Sequence, residues 1–348
     1  MKKNLYVGLF GLSCLFANAQ NNQQNSLATS GGLEAGTTSS GTGQNAFYGY
    51  RSGKVNTTGV YNTFMGNNSG VVNTTGSSNT FIGNFSGQKN TIGAGNTFIG
   101  DKSGQSNTGG ASNTCVGTFA GVSITNGQAN TIMGTNGGAG CSGSGNTMIG
   151  MEAGWSSFGN PGNNNTFLGA SAGTESVGSE NVFIGYQAGS GQTIDGAFIV
   201  ENYNYFQPAP LIKGDFATGK VGIAVSSFPS TAGSVDVSGY KFFVKGGILA
   251  EEIRVATTWA DYVFEKDYQL PTLKEVEQHI TEKGHLINVP SAKQVEENGI
   301  SLGEIAKIQQ EKIEELTLYI IEQNKVNEKQ AEEIKEMKEF MMNLAAKK

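Results

Sequence analysis

The chain has 348 residues, with 51 Gly but only 6 Pro, 15% charged side chains and a formal net charge of −6. That length sets a prior of two or three domains, and so little Pro and charge separates the chain from Gly-rich disordered and polyelectrolyte sequences. The acidic balance opposes non-specific binding to nucleic acid or anionic membrane.

Residues 1–19, "MKKNLYVGLFGLSCLFANA", have the three parts of a secretory signal. Lys2 and Lys3 form the charged region, Leu5 to Phe16 the apolar stretch, and Ala17-Asn18-Ala19 an A-x-A cleavage site. Cys14 raises a lipoprotein reading, but "GLSC" lacks the usual Leu three residues earlier. The apolar run is too short to span a bilayer and no later window is long enough, so no integral membrane segment is expected. The protein is expected to be exported, to the extracellular space or outer cell surface. Residues 20–44 read as a polar low-complexity linker.

From residue 45 to 195 the sequence repeats. The lead residues Asn45, Asn62, Asn79, Asn96, Asn113, Asn130, Asn146, Asn165 and Asn181 are spaced by 17 five times, then by 16, 19 and 16. A period this short cannot hold a helical hairpin but fits one turn of a β-solenoid. Each unit, as in "NTFIG" at Asn79 to Gly83, is a short β-branched and aromatic strand ended by Gly. Alternation puts Asn and Phe on one face and Thr and Ile on the other. The two apolar ladders follow: Met65, Ile82, Ile99 and their equivalents are expected to fill the coil. Phe64, Phe81, Phe98, Phe167 and Phe183 are expected to face a neighbouring chain, because an exposed apolar stripe is rare on a monomer. About nine 17-residue coils at roughly 4.8 Å would make a rod about 40 Å long.

"NTFIGNFSG" and "NVFIGYQAG" resemble the head repeats of YadA-like trimeric bacterial adhesins. The resemblance covers about 150 residues and implies a mainly β, left-handed parallel β-roll packed as a homotrimer. The period here is longer, and no C-terminal β-barrel of the trimeric autotransporter type is present, so the fold transfers more readily than the anchor or ligand.

Residues 196–258 read as a small β region, with alternating apolar residues and turn breaks such as "GDFATGK". Residues 259–304 are charged and largely helical. Thr272 with Glu275 forms a capping box opening a short helix that Gly284 stops, and Ser291 opens a second that Gly299 ends. Together with "KIEELTLYIIEQ", this segment resembles the C-terminal domain of exported tail-fibre-like proteins, related to the S74-type intramolecular chaperones. That resemblance implies trimer assembly, and in the family often self-cleavage by a Ser–Lys pair. The "S-D-x-R-x-K" signature is absent here; "LAEEIRVATTWADYVFE" holds Arg254 as its one basic residue and no Ser. Residues 305–348 carry heptads: Ile313, Ile320, Asn327, Ile334 and Met341, interleaved with Leu316, Gln323, Gln330, Met337 and Leu344. The expected core of a self-associating coiled coil therefore includes Ile313, Leu316, Ile320, Asn327, Ile334 and Met337. A single amphipathic helix folded back on its own domain is the alternative.

Catalytic readings fail one by one. "GASAG" around Ser171 and "GAGCSG" at Gly138 to Gly143 match nucleophile-elbow and dinucleotide patterns, but a Gly/Ser-rich repeat produces both without a strand-to-helix turn. The acids Asp101, Glu152, Glu175, Glu180 and Asp195 occupy unrelated repeat positions, so no glycosidase pair is set up. His279 and His285, six apart, fit neither an i, i+4 metal pair nor an acid–base pair. Cys115 fills a Phe slot and Cys141 lies about one and a half repeats on, which argues against a disulfide and leaves too few ligands for zinc. The Thr ladder, Thr63 to Thr166, suits an ice-binding face, but it shares the Ile face expected to point inward. A bZIP module needs a basic stretch, whereas Lys274 to Lys312 carries five Lys against seven Glu. The sequence thus leads to an exported, homotrimeric, non-enzymatic fibrous protein without metal or cofactor. Its role is that of an adhesin or tail-fibre-like element, and its glycan or protein ligand is unspecified. A self-cleaving S74-type protease is the alternative, an ice-binding solenoid a remote one.

Overall fold

A computed structural model describes residues 28–39, 43–157, 161–203, 209–256 and 259–346. The signal-peptide segment 1–19, with Cys14, lies outside the described residues, as do residues 20–27 of the stretch read as a linker. The chain divides into two units, one running to Phe228 and taking in Tyr240–Gly247, the other made of Pro229–Gly239 and Ile248 onward.

The first unit is a parallel β-solenoid with one short strand per coil. Its strands are β1 (Ala28–Gly31), β2 (Asn45–Tyr48), β3 (Thr63–Met65), β4 (Thr80–Ile82), β5 (Thr97–Ile99), β6 (Thr114–Val116), β7 (Thr131–Met133), β8 (Thr147–Ile149), β9 (Thr166–Leu168), β10 (Val182–Ile184) and β11 (Ala197–Val200). They pair in sequence order and in register, so Thr80 lies beside Thr97 and Phe81 beside Phe98. After β11 the chain reverses: β12 (Ile212–Asp215) and β13 (Lys220–Ile223) continue the same sheet antiparallel, and β16 (Phe242–Val244) adds parallel to β13. The solenoid begins earlier than the repeat suggested. Ala28–Gly31, inside the stretch read as a linker, pairs with Asn45–Tyr48 at the same 17-residue offset, with Ser30 in the Phe position.

The core reverses the expected faces. Phe47, Phe64, Phe81, Phe98, Phe167 and Phe183 are buried, at most 1% exposed, with Cys115, Ile132 and Met148 filling the same column. Consecutive rings stack at 4.7–5.1 Å, a spacing set by the coil rise. The assignment of Phe64, Phe81, Phe98, Phe167 and Phe183 to a subunit interface is therefore corrected: they fill the coil of their own chain. The physical cause is the amide that shares their face. Asn79 donates Nδ2–H to Gly93 O at 2.8 Å across its coil, and its Oδ1 accepts the backbone N–H of Asn96 in the next at 2.9 Å. Every lead Asn from Asn45 to Asn181 is buried, and an amide satisfied on both ends sits inside at little cost. Alternation then carries Phe inward and Ile outward.

Room for the ring comes from Gly six residues on. A Cβ at Gly87, whose φ is +55°, would stand 2.5 Å from the Phe81 ring, so both the conformation and the space demand glycine. Small Ser side chains brace the opposite corner: Ser52, Ser69, Ser86 and Ser103 each donate to the carbonyl of the Phe-column residue in the next coil at 2.8–3.0 Å.

A second buried amide ladder runs parallel to the first. Asn73 donates to Asn56 Oδ1 at 2.7 Å, Asn90 to Asn73 at 2.7 Å and Asn107 to Asn90 at 2.6 Å. Each also meets the corner carbonyl that its lead Asn reaches, as Asn90 and Asn79 do at Gly93 O. The next coil substitutes Ile124, fully buried, so Asn107 Oδ1 is left without a partner; Cys141 takes the following place.

The second unit carries a two-residue hairpin, β14 (Thr231–Ala232) with β15 (Val235–Asp236), a 3-10 turn at Asp261–Phe264, and three helices, α1 (Leu273–Lys283), α2 (Ala292–Asn298) and α3 (Leu302–Ala345). The capping boxes read at Thr272/Glu275 and at Ser291 (with Gln294) are both formed, and Gly284 ends α1 at φ +77°. Ser301 caps α3, which runs 44 residues.

Candidate assembly surfaces

On the solenoid, the outward residues of β3–β10 form two columns. One is Thr63, Thr80, Thr97, Thr114, Thr131, Thr147 and Thr166; the other is Met65, Ile82, Ile99, Val116, Met133, Ile149, Leu168 and Ile184. Met65 and Leu168 are 47% and 46% exposed where Phe64 and Phe167 are at 0%. The face carries no charge across eight coils. The Thr hydroxyls in this column carry no side-chain hydrogen bond to the protein among the described residues. The inward reading of the Thr/Ile face is thereby corrected.

Between Glu311 and Ile320, α3 turns acidic side chains inward and apolar ones outward. Glu311, Glu314 and Glu315 are buried, while Ile313, Leu316 and Ile320 are more than half exposed. Two of these carboxylates, Glu311 and Glu315, are held by Tyr262 in the 3-10 turn and Tyr268, both before α1, and by Asn288 after it. Tyr262 Oη donates to Glu311, Tyr268 Oη to Glu315, and Asn288 Nδ2 to Glu311 at 3.1 Å. Lys312 bridges Glu311 at 2.8 Å and Glu315 at 2.9 Å, and Lys307 lies over the Tyr262 ring at 5.3 Å. Burial pushes the Glu311 carboxyl up, but the bonds from Lys312, Tyr262 and Asn288 outweigh it and hold it below its ordinary range. Burial likewise opposes the Lys312 charge, which Glu311 and Glu315 restore and strengthen. The Tyr262 phenol, donating to Glu311 and partly buried, is pushed up to about 12. Further along α3 the heptad residues Ile334, Met337, Met341 and Leu344 are about half exposed or more, and Asn327, also exposed, accepts from Gln323 at 2.9 Å. An apolar hollow of about 370 Å³ lies among Ile334, Met337, Met341 and Met342.

The serine, cysteine and arginine positions weighed for chemistry lie in unrelated surroundings. Ser171 is buried at φ +55° with its Oγ 3.5 Å from Glu152 Oε2, and Glu175 accepts from Ser157. Cys115 and Cys141 are buried free thiols, both pushed up by burial, Cys141 to about 11, which suppresses thiolate chemistry. Arg254 pairs with Glu252 on the surface. A cleft of about 550 Å³ where the solenoid meets β12 and β13 is lined by Asp195, Lys213, Asp215 and Lys220. Its charges are spent locally: Lys213 donates to Ser226 O, Asp195 accepts from Ser179 N–H, and Asp215 caps the turn at Ala217 and Thr218. Among the described residues no helix is long and apolar enough to cross a membrane.

Fold and surfaces define a mainly β protein, a parallel β-solenoid with a long C-terminal helix. Comparison with protein families, with curated proteins and with solved structures finds no match.

Proposed function

We propose that the chain is the subunit of an exported, self-assembled fibrous protein, trimeric as its repeat resemblance implies, that serves as an adhesin or tail-fibre-like structural element. The observation that carries this reading is the inverted use of α3. Around Glu311, Glu314 and Glu315 the helix turns acidic side chains inward, and the exposed Ile313, Leu316 and Ile320 are left for another copy to cover. In-register apolar columns on the solenoid support the same role, because a second copy repeats them at the same interval. Sedimentation of the purified chain tests it. The wild type should run as a discrete oligomer and Ile320→Asp with Met337→Asp as a monomer; a monomeric wild type at all concentrations refutes the reading.

The outward Thr column, whose hydroxyls make no side-chain hydrogen bond among the described residues, favours a second reading, an ice-binding face, on the opposite ground from the one that set it aside in the sequence. Ice-recrystallisation inhibition lost in Thr97→Tyr, with the oligomer intact, would select it.

A further inference from the structure

The chain contains two histidines, His279 and His285, whose spacing fits no pair on one helix face. The structure brings them together. His279 lies in the last turns of α1; Gly284, left-handed at φ +77°, turns the chain back, and the two rings come to 5.4 Å between centroids at 76° between planes. His285 Nδ1 is 3.0 Å from Leu286 O. A carbonyl only accepts, so in the neutral ring Nδ1 carries the proton and Nε2 keeps its lone pair. His279 Nε2 is shielded from solvent and has no hydrogen-bond partner.

A backbone carbonyl that fixes the tautomer is the usual support of a metal-bound imidazole. Two imidazole nitrogens on one tetrahedral ion, each at about 2.0–2.1 Å, leave the ring centroids about 5 Å apart, close to the separation found. Edge-to-face packing alone gives a similar distance, but it leaves the shielded His279 Nε2 without a function. We propose that His279 and His285 form a two-imidazole site for a late first-row divalent cation of the Zn²⁺, Ni²⁺ or Cu²⁺ kind. Imidazole favours these ions, whereas Ca²⁺ and Mg²⁺ require oxygen ligands. Among the described residues no third His, Cys, Asp or Glu joins the pair in a group able to hold a metal. Water completes the shell, and the bound ion clamps the C-terminal turn of α1 to the loop that follows.

Because these are the chain's only histidines, an untagged full-length preparation gives a clean test. Calorimetric titration with NiCl₂ and with ZnCl₂ should show one ion per chain, reversed by EDTA, with MgCl₂ silent. With CuCl₂, the electron paramagnetic resonance spectrum should carry nitrogen hyperfine structure. His279→Gln and His285→Gln should each weaken binding by about tenfold or more. Both positions are partly solvent-exposed, His279 on a helix held by its own capping box and His285 in the loop after it, and unchanged circular dichroism would show that the variants fold. Absence of Ni²⁺ binding at millimolar concentration, or full binding by the double variant, overturns the proposal.

Discussion

Phe64 and Met65 are neighbours in one three-residue strand, and truncating each to Ala separates the inner face from the outer. Phe64 is fully buried, its ring 5.1 Å from Phe47 and 4.7 Å from Phe81, and a Cβ at Gly70 would come within 2.6 Å of it. Backbone glycine on one side and stacked rings above and below leave little that can collapse into the hole. Phe64→Ala should therefore cost the full about 3–5 kcal/mol of a buried aromatic truncation. Met65 is 47% exposed in the single chain, so Met65→Ala forfeits only part of a side-chain transfer energy, roughly 1 kcal/mol. Urea unfolding followed by circular dichroism at low chain concentration measures both. Hydrogen exchange should show protection lost in the coils around β3 for Phe64→Ala, since each coil depends chiefly on its neighbours. Equal costs for the two variants at the lowest concentration, or a larger cost for Met65→Ala, would refute the assignment of faces.

Asn90→Ala removes the donor to Asn73 Oδ1 and the acceptor of Asn107; leaving buried groups unpaired should cost about 1–3 kcal/mol each, against almost nothing for the exposed Asn67→Ala, as urea midpoints will show. Ser86→Ala loses a single bond to Phe98 O at 2.9 Å and should cost about 1 kcal/mol, a tolerable change because Ala120, Ala153, Ala172 and Ala188 occupy that place in later coils. The second unit should weaken in acid: Glu311 is held low, so its stabilisation is present above the ordinary carboxylate value and is lost as pH falls through the lower folded value. In base the Tyr262 phenol works in the other sense, its contribution complete below about 10 and lost as pH rises toward about 12. Glu311→Gln should flatten the acid limb of a stability–pH profile read from helix content; an unchanged limb would contradict the network.

The period, the strand within it and the helix caps were legible because each rests on local chemistry: Gly at corners, β-branched residues in strands, Thr272 and Ser291 three residues before Glu275 and Gln294. The choice of face was not. Asn and Phe were correctly placed together, but nothing in a pentapeptide tells whether an amide faces water or spans the coil to Gly93 O. That depends on residues 14 positions away. The second ladder was hidden for the same reason, since Asn73 and Asn90 sit in tracts whose composition reads as turn. The first coil was missed because Ala28 and Ser30 replace the Asn and Phe that mark its successors. The approach of His279 to His285 turns on the single left-handed residue Gly284, so a count of intervening residues misjudges it. The buried carboxylates of α3 look from the sequence like an ordinary solvated face; only Tyr262 and Tyr268, more than 40 residues earlier, reveal otherwise.

Both amide ladders join a residue to its counterpart one coil away, over a run where that distance is always 17. A gene segment encoding one such coil between Asn62 and Asn113 can therefore be duplicated or deleted without leaving any ladder bond out of step. The molecule would change length in whole steps of about 4.8 Å while its two ends stay as they are. Beyond Asn130 the intervals become 16, 19 and 16, yet the lead-Asn ladder runs on through Asn146, Asn165 and Asn181, so those coils absorb the difference in their turns. The ladder thus counts coils rather than residues, and reach is set by how many of them the gene encodes.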